Sequence, residues 1–171
     1  LENIESTEFS VLRIKRDILS RSRVGMIVTD RSKSMISEGS SQLYGIDGQF
    51  NFLDDFEIST YAAKTNTKGL PNKDKSYMGN FAYDGDLYGF SSGYVVVEDN
   101  FNPEIGFKRR DNFKQYDGFA RFSPRISSSD RIRRLVLLAH TESYWSADEG
   151  VLETRAHGVN FTTEFERGDA F

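Results

Sequence analysis

Apolar residues recur at every second position along most of this chain, and the 3.6-residue spacing of an amphipathic helix is hard to find. In SVLRIKRDI, Leu12, Ile14 and Ile18 share a face with Arg16, while Val11, Arg13, Lys15 and Asp17 share the other. RVGMIVTDR aligns Val24, Met26 and Val28. QLYGIDGQFNF sets Tyr44, Ile46, Phe50 and Phe52 against Asp47, Gln49 and Asn51. FEISTYAAKT groups Phe56, Ile58, Thr60 and Ala62 against Glu57, Ser59 and Tyr61, and YMGNFAY opposes Tyr77, Phe81 and Tyr83 to Asn80 and Ala82. Segments of this kind fold as strands with one dry face and one wet face. The pattern predicts nine strands, over 8–19, 23–31, 42–53, 56–65, 77–83, 87–97, 113–123, 132–146 and 151–166.

The links between them alternate in length. Short polar links at 20–22, 54–55 and 84–86 have hairpin composition. Longer ones at 32–41, at 66–75 and in the opening stretch fall between them. Transmembrane barrels sort their connections this way, with brief turns at one rim and extended loops at the other. The predicted fold is therefore all-β: an antiparallel meander of about eight to ten strands forming a segment of a transmembrane β-barrel. The sorting relaxes at PRISSSD and ADEG. One segment dissents. RIRRLVLLAHTESYW places Val136 and Leu138 beside Arg134, His140 and Glu142, so both faces are apolar in its first half, which suits a soluble core strand.

The chain has 171 residues, a length that fits a single domain over 1–171. Hydrophobic residues total only 37%, but 14 Phe and 8 Tyr at regular spacing have surface to bury, which excludes a disordered chain. A net charge of −4 leaves no basic excess for tracking phosphates, so nucleic acid is not an expected partner. With no cysteine, disulfide frameworks, thiolate metal sites and cysteine nucleophiles drop out. No apolar run is long enough for a membrane-spanning helix, although a barrel strand needs only alternate apolar residues. The sequence opens on Leu1 rather than Met, as expected of an excised piece.

Candidate chemistry is sparse. His140, Glu142 and His157 could hold a metal, but no close-spaced ligand pair supports a site, and none is expected. The carboxylate pairs Asp54–Asp55, Asp84–Asp86 and Asp148–Glu149 fall in turns, where Asp caps backbone, rather than across a sugar cleft. No serine sits in a Gly-x-Ser-x-Gly elbow. No catalytic residue and no cofactor is expected. Charge remains. Arg13, Lys15, Asp17, Arg121, Arg134, His140 and Glu142 lie on wet strand faces. In a barrel they would pair across strands inside the lumen; in a soluble sheet they would face water. The densest basic cluster, Lys108, Arg109 and Arg110, follows Asn102–Pro103–Glu104 between two strands. Proline is tolerated there because no ladder partner is needed, and the cluster is expected at the rim on the long-loop side. There it would meet an anionic ligand or a neighbouring loop's carboxylates.

Three segments carry a resemblance: FSVLRIKRDILSRSRVGMIVTDR (9–31), QLYGIDGQFNFLDDFEISTYAAKT (42–65) and, most specifically, DNFNPEIGFKRRDNFKQYDGFARFSPR (99–125). From about Phe9 onward the chain resembles the barrel portion of an uncharacterised family of bacterial outer-membrane proteins. Members usually carry an N-terminal domain similar to family-9 carbohydrate-binding modules, which is absent here, and they continue well past the position of Phe171. The resemblance implies a bacterial outer-membrane location, membrane lipid as partner, and carbohydrate only through the missing domain. It implies an anchor or passage for a surface carbohydrate-associated protein, and no activity transfers residue by residue. Two other readings stay open. One is a soluble β-sandwich binding carbohydrate through Tyr44, Tyr61, Tyr144 and Trp145; the other is a β-sheet glycoside hydrolase using Glu142.

Overall fold

The structure is a computed structural model that describes residues 6–170, so residues 1–5 of the opening stretch and Phe171 lie outside the described residues. Nine strands follow one another: β1 (Phe9–Ile18), β2 (Ser22–Arg31), β3 (Ser41–Phe52), β4 (Phe56–Thr67), β5 (Lys75–Asp84), β6 (Tyr88–Val97), β7 (Phe113–Phe122), β8 (Ile132–Ser146) and β9 (Leu152–Phe165). They form a single sheet in the order of the sequence, each strand antiparallel to the next. The sheet is all-β and open, with β1 and β9 at its edges. In a meander these two odd-numbered strands run in the same direction.

Alternation works here because register is continuous. Leu12 pairs with Val28 and Val28 with Tyr44, so the apolar sets of successive strands meet on one face. Arg13, Asp47, Glu142 and Glu164 share the opposite face. A one-residue slip anywhere would exchange the two sets. Val136 and Leu138 lie on the charged face, while Leu135, Leu137 and Ala139 continue the apolar one.

A conventional core is missing. Among the described residues only Val96, Val97 and Phe101 are buried hydrophobics, while Ile46 is 65% exposed and Val159 71%. Among the described residues the apolar face carries no second layer.

Connections after β1, β3 and β5 are the short turns 19–21, 53–55 and 85–87; those after β2, β4 and β6 are the loops 32–40, 68–74 and 98–112. The sorting lapses at 123–131 and 147–151, where the sequence also relaxes. At the long-loop end, connections far apart in the sheet meet. Glu104 bonds to the loop after β2, and Arg110 pairs with Glu153 of β9. Flat, β2 and β9 would lie roughly 34 Å apart at ~4.8 Å per strand. Residues 104 to 110 span roughly 21 Å of backbone at full stretch, and Gly106 N–H donating to Pro103 O (2.8 Å) folds the loop tighter. One loop thus bonds to both sides of the sheet over the polar face, in keeping with a curl toward that face.

Candidate functional site

The polar face is a network of cross-strand pairs. Two of them reach over an intervening strand. Arg13 of β1 contacts Asp47 of β3 at 2.5 Å, passing over Gly25 of β2. A Cβ on Gly25 would lie 2.7 Å from the Arg13 guanidinium and 2.9 Å from the Asp47 carboxylate. Arg121 of β7 reaches Asp84 of β5 at 2.7 Å over Gly89 of β6. There a Cβ would lie 3.0 Å from Arg121 Nε. Glycine inside a strand usually weakens it, and these two admit a side chain lying flat across the backbone. Elsewhere the pairs join neighbours. Arg134 forms a fork with Glu164 (2.9 and 3.2 Å). Glu142 accepts from Gln115 Nε2 at 3.0 Å and from the Tyr144 hydroxyl at 2.8 Å.

All seven charges expected on wet faces lie on this side. Lys15 and Asp17 are exposed near the β1 edge, and Lys15 adds to the positive field around Asp47. The His140 ring lies across Gly158 of β9, where a Cβ would come within 2.1 Å of it. His157 is on the apolar face, paired with Thr141, so the two histidines cannot share an ion. Among the described residues no group of three or more His, Asp or Glu could hold a metal. The four aromatics weighed as a sugar platform also divide. Tyr44 and Trp145 belong to the apolar face, Tyr61 and Tyr144 to the polar one.

The loop 98–112 folds across the polar face at the long-loop end. Asn100 N–H donates to Lys73 O (2.8 Å), and its side chain donates to Pro71 O and Asn72 O. Asn102 N–H donates to the Thr65 hydroxyl at 3.1 Å. Glu104 then seats its carboxylate, only 3% exposed, in loop 32–40. It accepts from Ser34 Oγ (2.5 Å), Met35 N–H (3.1 Å) and Asn102 Nδ2 (2.9 Å). Arg31 stands 3.6 Å away, with its buried Nε making no hydrogen bond. The sequence pointed to Asn102–Pro103–Glu104 only as an exit turn; it is an anchor.

The three cations beyond it do not act together. Lys108 donates to Phe101 O and pairs with Asp111 at 2.7 Å. Arg110 pairs with Glu153 and lies 5.9 Å from the ring centroids of both Phe113 and Tyr144. Arg109 is exposed, and so is Phe107 two residues before it, at 87%. Another rim contact joins Lys73 to Asp148 at 2.8 Å, and this hydrogen bond raises the lysine pKa. At the short-turn rim, Arg125 bonds to Asp86 at 2.8 Å and holds that carboxyl below its ordinary value.

The apolar face has its own order. Reading the paired rows across β2 to β9, its charged positions mark a descending line. Asp30 stands highest, Lys64 and Lys75 one row lower, Lys114 a row below them and Arg155 a further row down. Tyr44, Tyr77, Tyr94 and Tyr116 run just inside that line. Toward the short turns Phe52, Phe56, Tyr83, Phe90, Tyr88 and Phe122 form a second aromatic band, with Phe56 and Tyr83 centroids 4.7 Å apart and Tyr88 and Phe122 5.4 Å apart. From β2 to β9 no described Asp, Glu, Lys or Arg lies between the two bands on this face; on the edge strand β1, Arg16 does, in the row of Val24. From Asp30 to Arg155 the line falls three rows over seven strand spacings, a slope of roughly 30° at ~3.4 Å per residue and ~4.8 Å per strand.

No protein-family model matches the sequence, and no curated protein or solved structure shows detectable similarity to it.

Proposed function

We propose that this chain is a segment of a bacterial outer-membrane β-barrel, serving as the membrane anchor or passage of a surface carbohydrate-associated protein and performing no catalysis itself. The slanted belt on the apolar face, free of Asp, Glu, Lys and Arg from β2 to β9, carries this reading. A second protein layer would require apolar side chains wherever it packed, with no reason for a straight oblique border. A planar bilayer cutting across tilted strands produces one, and barrel strands tilt by roughly 35–45°. Two aromatic bands flank the belt, as at the two interfaces of a membrane. The curl toward the polar face and the inward-folded loop 98–112 supply the beginning of an enclosed, charged interior. Since β1 and β9 run in the same direction, an all-antiparallel closure takes an odd number of further strands between them. Carbohydrate enters through the family resemblance, as the ligand of a separate domain.

Extraction and gel migration test the proposal. The protein is expected to leave the envelope fraction only with detergent and to migrate differently with and without boiling. A monomer that stays soluble without detergent would overturn it.

A further inference from the structure

We propose that the apolar face holds a site for an anionic lipid, between β2 and β5 at the long-loop border of the belt. This rests on the membrane reading above and names the partner of that face. Lys64 and Lys75 are directly paired across β4 and β5 on the apolar side. Like charges placed opposite each other repel, so the arrangement calls for an anion. The protein supplies only part of one. Asp74 reaches Lys64 at 3.6 Å, and Glu98, the carboxylate nearest in register to Lys75, accepts from the backbone N–H of that lysine at 2.9 Å. No ion pair to the Lys75 ammonium occurs among the described residues, and the side chain is exposed.

Directly inside the lysines a groove of about 410 Å³ runs along the face. Met26, Val28, Ile46 and Ala62 line it, and Tyr44 and Tyr77 stand at the end nearest the lysines. Small Ala62, set between Ile46 and Tyr77 in its row, leaves the depression. An apolar trough ending in two ammonium groups matches one amphiphile: an acyl chain along the trough and a phosphate headgroup between Lys64 and Lys75. Tyrosine rings at that level suit the ester region, where one end is greasy and the other wet. The groove lies on the face opposite the charged one, so a soluble anion entering the interior would not meet these lysines.

The test reconstitutes the protein in bilayers of phosphatidylcholine and phosphatidylglycerol at equal amounts, then measures which lipid stays bound after mild detergent extraction. A cation at an anionic headgroup contributes roughly fivefold, so wild type is expected to enrich phosphatidylglycerol on the order of tenfold or more, and the K64Q/K75Q variant to bring the ratio close to one. Trp145, the only tryptophan, lies on the same face and reports insertion separately through quenching by brominated phosphatidylcholine. Quenching in both proteins with no enrichment by wild type, or with enrichment that survives in the variant, overturns the lipid site and leaves the membrane reading standing. Absence of quenching in wild type overturns both.

Discussion

Among individual residues, neighbours decide more than charge does. Arg109 and Arg110 are adjacent and chemically identical, yet among the described residues only Arg110 has an ion partner and two nearby aromatic rings. Arg110→Ala is expected to cost about 1 kcal/mol, because a partly exposed pair is screened while the stacking adds to it. Arg109→Ala should stay within about 0.5 kcal/mol of wild type, as surface substitutions generally do. Unfolding in denaturant measures both, and equal losses would contradict the separation. Asp86 offers a second residue-scale test. Its carboxyl is held below the ordinary 3.8 by Arg125, so the contact stabilises the fold above that value and is lost as pH falls through the depressed one. Carbon-detected titration should show the Asp86 pKa moving upward in Arg125→Ala, since the largest lowering contact is removed.

Between elements, two devices set how strands and loops join. Gly25 lets β1 reach β3, so the cost of adding a methyl there should depend on Arg13. Gly25→Ala is expected to lose about 0.5–1 kcal/mol in wild type and little in an Arg13→Ala background. Additive losses would mean that the pair does not need the open backbone. Glu104 fastens the longest loop. Glu104→Ala removes the acceptor for Ser34, Met35 and Asn102 and takes the buried carboxylate from the half-buried Arg31, so the loss should approach about 3 kcal/mol, the lower end for breaking a buried pair. The cost falls on the loop rather than the sheet. Limited proteolysis should show new cleavage within 98–112 and 32–40, with the strands protected.

For the whole molecule, the question is what the bare face meets. Ile46 is 65% exposed in the isolated sheet, so in water Ile46→Arg would be nearly neutral. Against acyl chains the same change costs about 2–4 kcal/mol near the bilayer midplane. A folding titration in lipid vesicles distinguishes these values. A neutral result would place that face in water and remove the basis for both the barrel and the lipid site. The curl of the sheet belongs to this scale too. It goes with loops of distant strands sharing bonds, such as Lys73 with Asp148, and with one loop bonding through Glu104 and Arg110 to both sides of the sheet.

The strands and their faces were legible in the chain itself. All nine expected segments occur with ends within two residues, because the side-chain period of a strand is local and needs no partner to be recognised. The wet-face charges were legible for the same reason. Their partners were not: Asp47, Asp84 and Glu164 become neighbours of Arg13, Arg121 and Arg134 only when strands are aligned, and no local pattern states that alignment. Gly25 and Gly89 carried a faint signal, as glycines inside alternating runs, without saying what would lie across them. Lys108, Arg109 and Arg110 read as one cluster because they are consecutive, whereas loop folding gives each a different surrounding. The oblique border of the apolar belt exists in no single strand. Sequence sets which side chains share a face; only the pairing of strands sets how high each one stands relative to the next.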